Sequence, residues 1–178
     1  MRIRAWTGAV ALALAGWITG VAPVAAQIQS RTVFQQRAWE VQVVWFEDGS
    51  VFCVAQVSRP GETFSVWAST SGPVKLQFYS TGWDFGTGDT ANLVVQIDRR
   101  APWKLTNAEL YLQSVLFNLP DNDTGTRFVL EVMRGNTLYL RDSRNRPVRQ
   151  YTLAGSSASI QALIVCVDAL RHRSNPFR

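Results

Sequence analysis

Trp39-Glu40-Val41-Gln42-Val43-Val44-Trp45, then Asp48-Gly49, then Val51-Phe52-Cys53-Val54-Ala55-Gln56-Val57 decides the fold. Trp39, Val41, Val43 and Trp45 alternate with Glu40, Gln42 and Val44, the period-2 pattern of a half-buried strand. Asp-Gly between two such runs is a strong hairpin signal, because the tight turn needs positive φ. Val51, Cys53, Ala55 and Val57 then form the next inward face, which points Cys53 into the core. Working outward, Arg59-Pro60-Gly61 turns the chain again. Phe64, Val66 and Ala68 continue the alternation, and so do Val74, Leu76 and Phe78. Thr81 to Asp89 reads as a longer loop, and Leu93, Val95 and Ile97 as a further strand. Asn107 to Leu119 fits neither the helical nor the strand period. Phe128, Leu130 and Val132 alternate with Arg127, Val129 and Glu131 and predict a strand. Leu138, Leu140, Val148, Tyr151 and Leu153 close the series. After Gly155 the period changes: Ile160, Leu163, Ile164, Val167 and Leu170 fall at helical spacing, predicting a helix over about Ser157 to Arg171.

Nine or ten short strands separated by turns predict a mainly β protein: an antiparallel β-sandwich, or a small barrel, with one C-terminal α-helix. The length of 178 residues suits one domain. With 47% hydrophobic and 17% charged residues the composition is globular.

The N-terminus is read as an address. Arg2 and Arg4 precede an apolar run, Ala5 to Val21, and small residues at Val24-Ala25-Ala26 lead to Gln27, the pattern of a secretory signal peptide. Cleavage after Ala26 leaves 152 residues, and with Arg2 and Arg4 gone the net charge falls from +5 to +3. The expected organisation is a signal peptide over 1–26, a flexible lead-in over 27–37, one domain over 38–173 and a loose tail over 174–178. No second long apolar run follows, so no transmembrane segment is expected after cleavage. The expected location is the periplasm or the exterior. That compartment is oxidising, so the two cysteines, Cys53 and Cys166, are expected to pair. A bond across 113 positions is worth roughly 4–5 kcal/mol in the chain-entropy model.

Several chemistries lack their residues. The one histidine, His172, lies near the C-terminus, away from any nucleophile that it could serve as a fixed base. One histidine and two bridged cysteines fall short of a zinc or copper ligand set. Asp121-Asn122-Asp123-Thr124-Gly125 starts like a calcium loop, but Gly125 and Val132 stand where ligands are required; the segment reads as a polar turn between strands. Gly82, Gly86 and Gly88 match no phosphate-binding loop. No metal or other cofactor is expected. The basic charge is too weak and too scattered for nucleic acid. Asp84 and Asp89, beside Trp83 and Phe85, are the acids best placed for glycoside hydrolysis, although turn chemistry also explains them.

The remaining candidates concern binding. Arg141, Arg144, Arg146 and Arg149 surround a hairpin and could hold phosphates or carboxylates; the same charges, with Pro147, could simply protect a sheet edge. Trp67, Trp83 and Trp103 lie off the clearest inward faces, where an exposed ring can stack on a sugar or anchor a partner. The binding candidates are therefore Arg141, Arg144, Arg146, Arg149, Trp83 and Trp103.

The export signal, the Trp39-Glu40-Val41 strand, Asp48-Gly49-Ser50-Val51-Phe52-Cys53, and the closing Tyr151-Thr152-Leu153-Ala154-Gly155-Ser156 before an Ala/Leu-rich helix with Cys166 distantly resemble the invasion-associated locus B family of small exported alphaproteobacterial proteins. The resemblance implies a periplasmic β-sandwich and a non-enzymatic envelope protein engaged in surface interaction; it supplies no catalytic residues. The sequence thus predicts a binding protein contacting an envelope protein or an anionic glycan or lipid. A carboxylate-dependent carbohydrate-active enzyme and a structural accessory subunit are the alternatives.

Overall fold

The computed structural model describes residues 28–173. The expected signal peptide and the expected tail lie outside them. Ten antiparallel strands form one sheet: β1 (Gln29–Gln36), β2 (Trp39–Trp45), β3 (Val51–Arg59), β4 (Glu62–Ala68), β5 (Lys75–Ser80), β6 (Thr87–Ile97), β7 (Trp103–Tyr111), β8 (Ser114–Asn118), β9 (Thr137–Asp142) and β10 (Pro147–Thr152). Two helices accompany it, α1 (Asp123–Arg134) and α2 (Ser156–Arg173). The sheet order is β1-β2-β3-β4-β5-β8-β7-β6-β9-β10.

The hairpin expected at Asp48-Gly49 is present. Gly49 has φ 81°, and the Asp48 side chain accepts the Ser50 N–H at 2.8 Å. β2 and β3 pair in register, Val43 opposite Cys53, so their apolar alternates share one face. β6 carries register shifts between Thr87 and Asp89 and between Ala91 and Leu93. Such bulges bend a strand and increase its twist. The sheet folds over itself accordingly. On β10, the Tyr151 ring lies 5.8 Å from Phe64 of β4 and 6.1 Å from Phe78 of β5. The Trp39 indole of β2 donates to the Thr152 carbonyl at 3.1 Å. The layers stack as in a sandwich, with Trp39, Val41, Phe64, Leu76, Phe78, Val95, Ile97 and Leu140 buried between them. β1 and β10 do not pair, so the sheet is not closed into a barrel.

Two segments depart from their sequence reading, and a third that the sequence left open is resolved. Residues 123–134 are helical, so the domain has two helices where one was predicted. The Asn122 side chain accepts from the Thr124 and Gly125 N–H groups, capping α1. Phe128 and Val132, four apart, are buried, whereas Leu130 turns outward; a strand would set all three on one face. Gly125 fits the first turn because an added Cβ would stand 2.1 Å from the Pro120 carbonyl oxygen. Second, most of the segment read as a flexible lead-in is β1, paired along β2. Third, residues 107–119 resolve into the end of β7, a tight turn and β8, with Tyr111 opposite Ser114. Leu112 occupies the left-handed region there (φ 52°) and is held from outside: its N–H donates to the Gly86 carbonyl at 2.6 Å, and its own carbonyl accepts from Phe85 N at 2.9 Å.

α2 lies across β1, β2 and β3 and against α1. Ile160, Leu163 and Val167 enter the core. Cys166 is joined to Cys53 of β3 by a disulfide, their Cα atoms 6.1 Å apart. Among the described residues, no helix is long and apolar enough to cross a membrane.

Candidate functional site

The two layers meet edge to turn where β9 and β10 pass the β3–β4 turn. Pro60-Gly61 reverses the chain there, Gly61 at φ 76°, and sets Arg59 and Glu62 opposite each other. A cleft of about 470 Å³ lies between this turn and the β9–β10 pair, lined by Arg59, Glu62, Tyr139, Arg141, Val148 and Arg149 among others.

Glu62 joins the two layers. One of its oxygens is ion-paired to Arg59 of its own hairpin; the other lies 2.6 Å from Arg149 Nε of β10. The Arg149 Nε–H is turned off that line, so the contact is an ion pair without a hydrogen bond. The Arg149 fork also donates to the Val148 carbonyl at 2.7 Å and to Ser80 Oγ at 3.3 Å. Its guanidinium lies 5.5 Å from the centre of the Trp83 ring, within cation–π range. Arg59 covers the Tyr151 ring at 6.0 Å. Burial, and secondarily the Glu62 charge, push the Tyr151 phenol well above its usual range; Arg149 and Arg59 oppose the shift.

Arg141 is differently placed. Its guanidinium lies 5.8 Å from the Tyr139 ring centre. Its Nε is buried without a hydrogen-bond acceptor, and among the described residues no carboxylate pairs with it. Three guanidinium groups and one carboxylate thus line the cleft, leaving cationic charge in excess.

The structure divides the sequence-derived candidates. Arg141, Arg149 and Trp83 come together. Arg144 and Arg146 stand exposed at the β9–β10 turn, outside the cleft lining. Asp142 organises that turn, accepting from both their backbone N–H groups and pairing with Arg146 Nε at 2.6 Å. The backbone N–H of Arg146, foremost among these bonds, holds the Asp142 carboxyl below its usual range. Trp103 belongs to another region. Its indole donates to Glu131 at 2.9 Å, its ring meets Phe128 edge-on at 5.4 Å, and Arg127 covers it at 5.0 Å. Trp67 is half-buried beside Phe46 and Phe52 and donates to Gln77 at 2.8 Å. Asp84, Asp89 and His172 are exposed, and among the described residues no three His, Cys, Asp or Glu gather into a metal-binding group. Arg59, Glu62 and Tyr139 are members of the cleft that sequence reasoning passed over. Arg59 registered only as part of a turn and Glu62 not at all; a charge on each side of Pro-Gly was the available signal.

No family model, curated protein or solved structure matches the chain.

The cleft can therefore be read only from its chemistry. Guanidinium forks match carboxylate and phosphate oxygens with paired, charge-assisted hydrogen bonds. The rings of Tyr139 and Trp83 lie within cation–π range of two of the forks.

Proposed function

We propose that the chain is a non-enzymatic binding protein of the bacterial envelope, exported to the periplasm or beyond, and that its arginine cleft holds an anionic group of an envelope component. The observation that carries this reading is Arg141: a guanidinium with a buried Nε that lacks an acceptor and with no carboxylate partner among the described residues. A buried donor left unpaired costs about 1–3 kcal/mol, and the terminal N–H groups of the same guanidinium have no partner among the described residues and line the cleft. The neighbouring Arg149 is spoken for by Glu62 and Ser80 and serves to shape the cleft. The one carboxylate lining it, Glu62, is tied to two arginines, an arrangement for holding charge and unlike the pair of separated acids that glycoside hydrolysis uses. The Cys53–Cys166 disulfide supports placement in an oxidising compartment.

The test is calorimetric titration of the full-length protein, purified from the envelope fraction, with oligogalacturonate as carboxylate probe and pyrophosphate as phosphate probe. One of them should bind, with Arg141→Ser weakening it about tenfold, as expected for loss of one charge-assisted bond. Arg144→Ser should leave affinity within about twofold, since screened surface charges contribute little. Equal loss from both variants, or no binding of either probe, would refute the assignment.

A further inference from the structure

A second concavity lies where α2 packs against the edge strand β1. It measures about 400 Å³, within the range of small-molecule sites. Ala162, Val165 and Ala169 recur along one stripe of the helix and form one wall; Val33 of β1 forms the other, and Trp45 of β2 contributes to the base. Two small alanines flanking Val165 leave the helix surface hollow at this point. The hollow runs for about two turns of α2, roughly 10 Å at 1.5 Å per residue. Val165 and Val33 are 69% and 44% exposed, so its rim is apolar and open to solvent. Arg31 of β1 is the one charged side chain among the described residues that line it. It is exposed, and none of the ion pairs among the described residues includes it.

An apolar trough whose one lining charge among the described residues is Arg31 has the complement of an amphipathic anion: an alkyl chain along α2 and an acidic head at Arg31. We infer that this trough binds a fatty-acid anion, its alkyl chain along α2 and its carboxylate at Arg31. A second copy of the chain fits less well. Joining through the β1 edge would need a regular strand, and β1 shifts register between Thr32 and Phe34, a bulge of the kind that blunts edge-to-edge pairing. A flat partner would also leave the hollow unfilled.

The experiment titrates the full-length protein from the envelope fraction with dodecanoate and with dodecyltrimethylammonium, each below its micelle concentration. Calorimetry reads binding, and sedimentation reads the oligomeric state. Wild type should prefer dodecanoate. Arg31→Glu should weaken dodecanoate about fivefold, the scale of one exposed charge pair, and strengthen the cationic amphiphile. Val165→Glu should abolish binding of both. Each replaced side chain is exposed, and an unchanged far-ultraviolet spectrum will establish that the variants fold. Equal binding of the two amphiphiles, unaffected by Arg31→Glu, would overturn the inference. So would absence of binding by a protein that sediments as a dimer, which would assign the trough to a second copy.

Discussion

The two helices pack on the same core and touch each other, the Ser156 hydroxyl at the start of α2 donating to the Val132 carbonyl of α1 at 2.7 Å; yet they are held by different means. α1 is specified locally. Asn122 caps it, Asp123 lies in its first turn and Arg134 in its last, where the helix dipole favours each charge. Phe128 and Val132 give it one apolar face. α2 carries apolar residues beyond its core face: Ile164 and Val165 face solvent while Ile160 and Leu163 face the core. Ile160, Leu163 and Val167 mark the core side of α2, but Ile164 and Val165 carry the apolar surface past it. The Cys166 bond to β3 adds a tether that α1 lacks. One helix carries its orientation in its own sequence; the other has it reinforced from a distant part of the chain.

The largest test of this contrast removes the bond. Replacing Cys53 and Cys166 together with Ser should cost about 4 kcal/mol, the chain-entropy value for a loop spanning 113 positions. Thermal denaturation will measure it, and amide exchange should accelerate in α2 well before α1. A cost under about 1 kcal/mol would mean that packing alone orients α2. Next, Phe128→Ala should cost about 3–5 kcal/mol in denaturant unfolding. Leu130→Ala, two positions along but 38% exposed, should cost under about 1 kcal/mol, the lower end for a side chain already partly in water. Equal costs would remove the amphipathic basis of α1. The smallest change is Asn122→Ala, expected to lose about 1 kcal/mol with the cap, while Asn122→Asp should retain it. Both are read from the same unfolding curves.

The same contrast governs what could be read from sequence. The meander β2 to β5 was legible because the core-facing alternates of each strand are apolar and each turn carries Gly or Pro. α2 was legible because five apolar residues keep helical spacing. α1 was not, although its helix chemistry is the cleaner: Phe128, Leu130 and Val132 also satisfy a period of two, and Asn122 sits among residues that serve turns equally well. β1 escaped because, as an edge strand, it buries little and Phe34 alone gives it an apolar alternate against the core. The turn at Leu112 has no residue suited to positive φ; hydrogen bonds from the Phe85–Gly86 loop hold it, and no local pattern announces those. In the cleft, Arg141, Arg149 and Trp83 could be picked out by type. Their joining to Arg59 and Glu62 depends on the sheet folding over, which brings together residues that no spacing relates.

The position of α2 in the chain also sets an order of events. It covers the inner faces of β1, β2 and β3, yet it follows the last of them, β3, by nearly a hundred residues. A chain still lacking Ser156–Arg173 can close the β2–β5 meander, whose pairings are all local, but must hold Val41, Val43 and Cys53 bare. Exposed apolar strand faces of this kind invite aggregation in unfinished chains. The sheet faces of β2 and β3 are therefore covered only once α2 has been added.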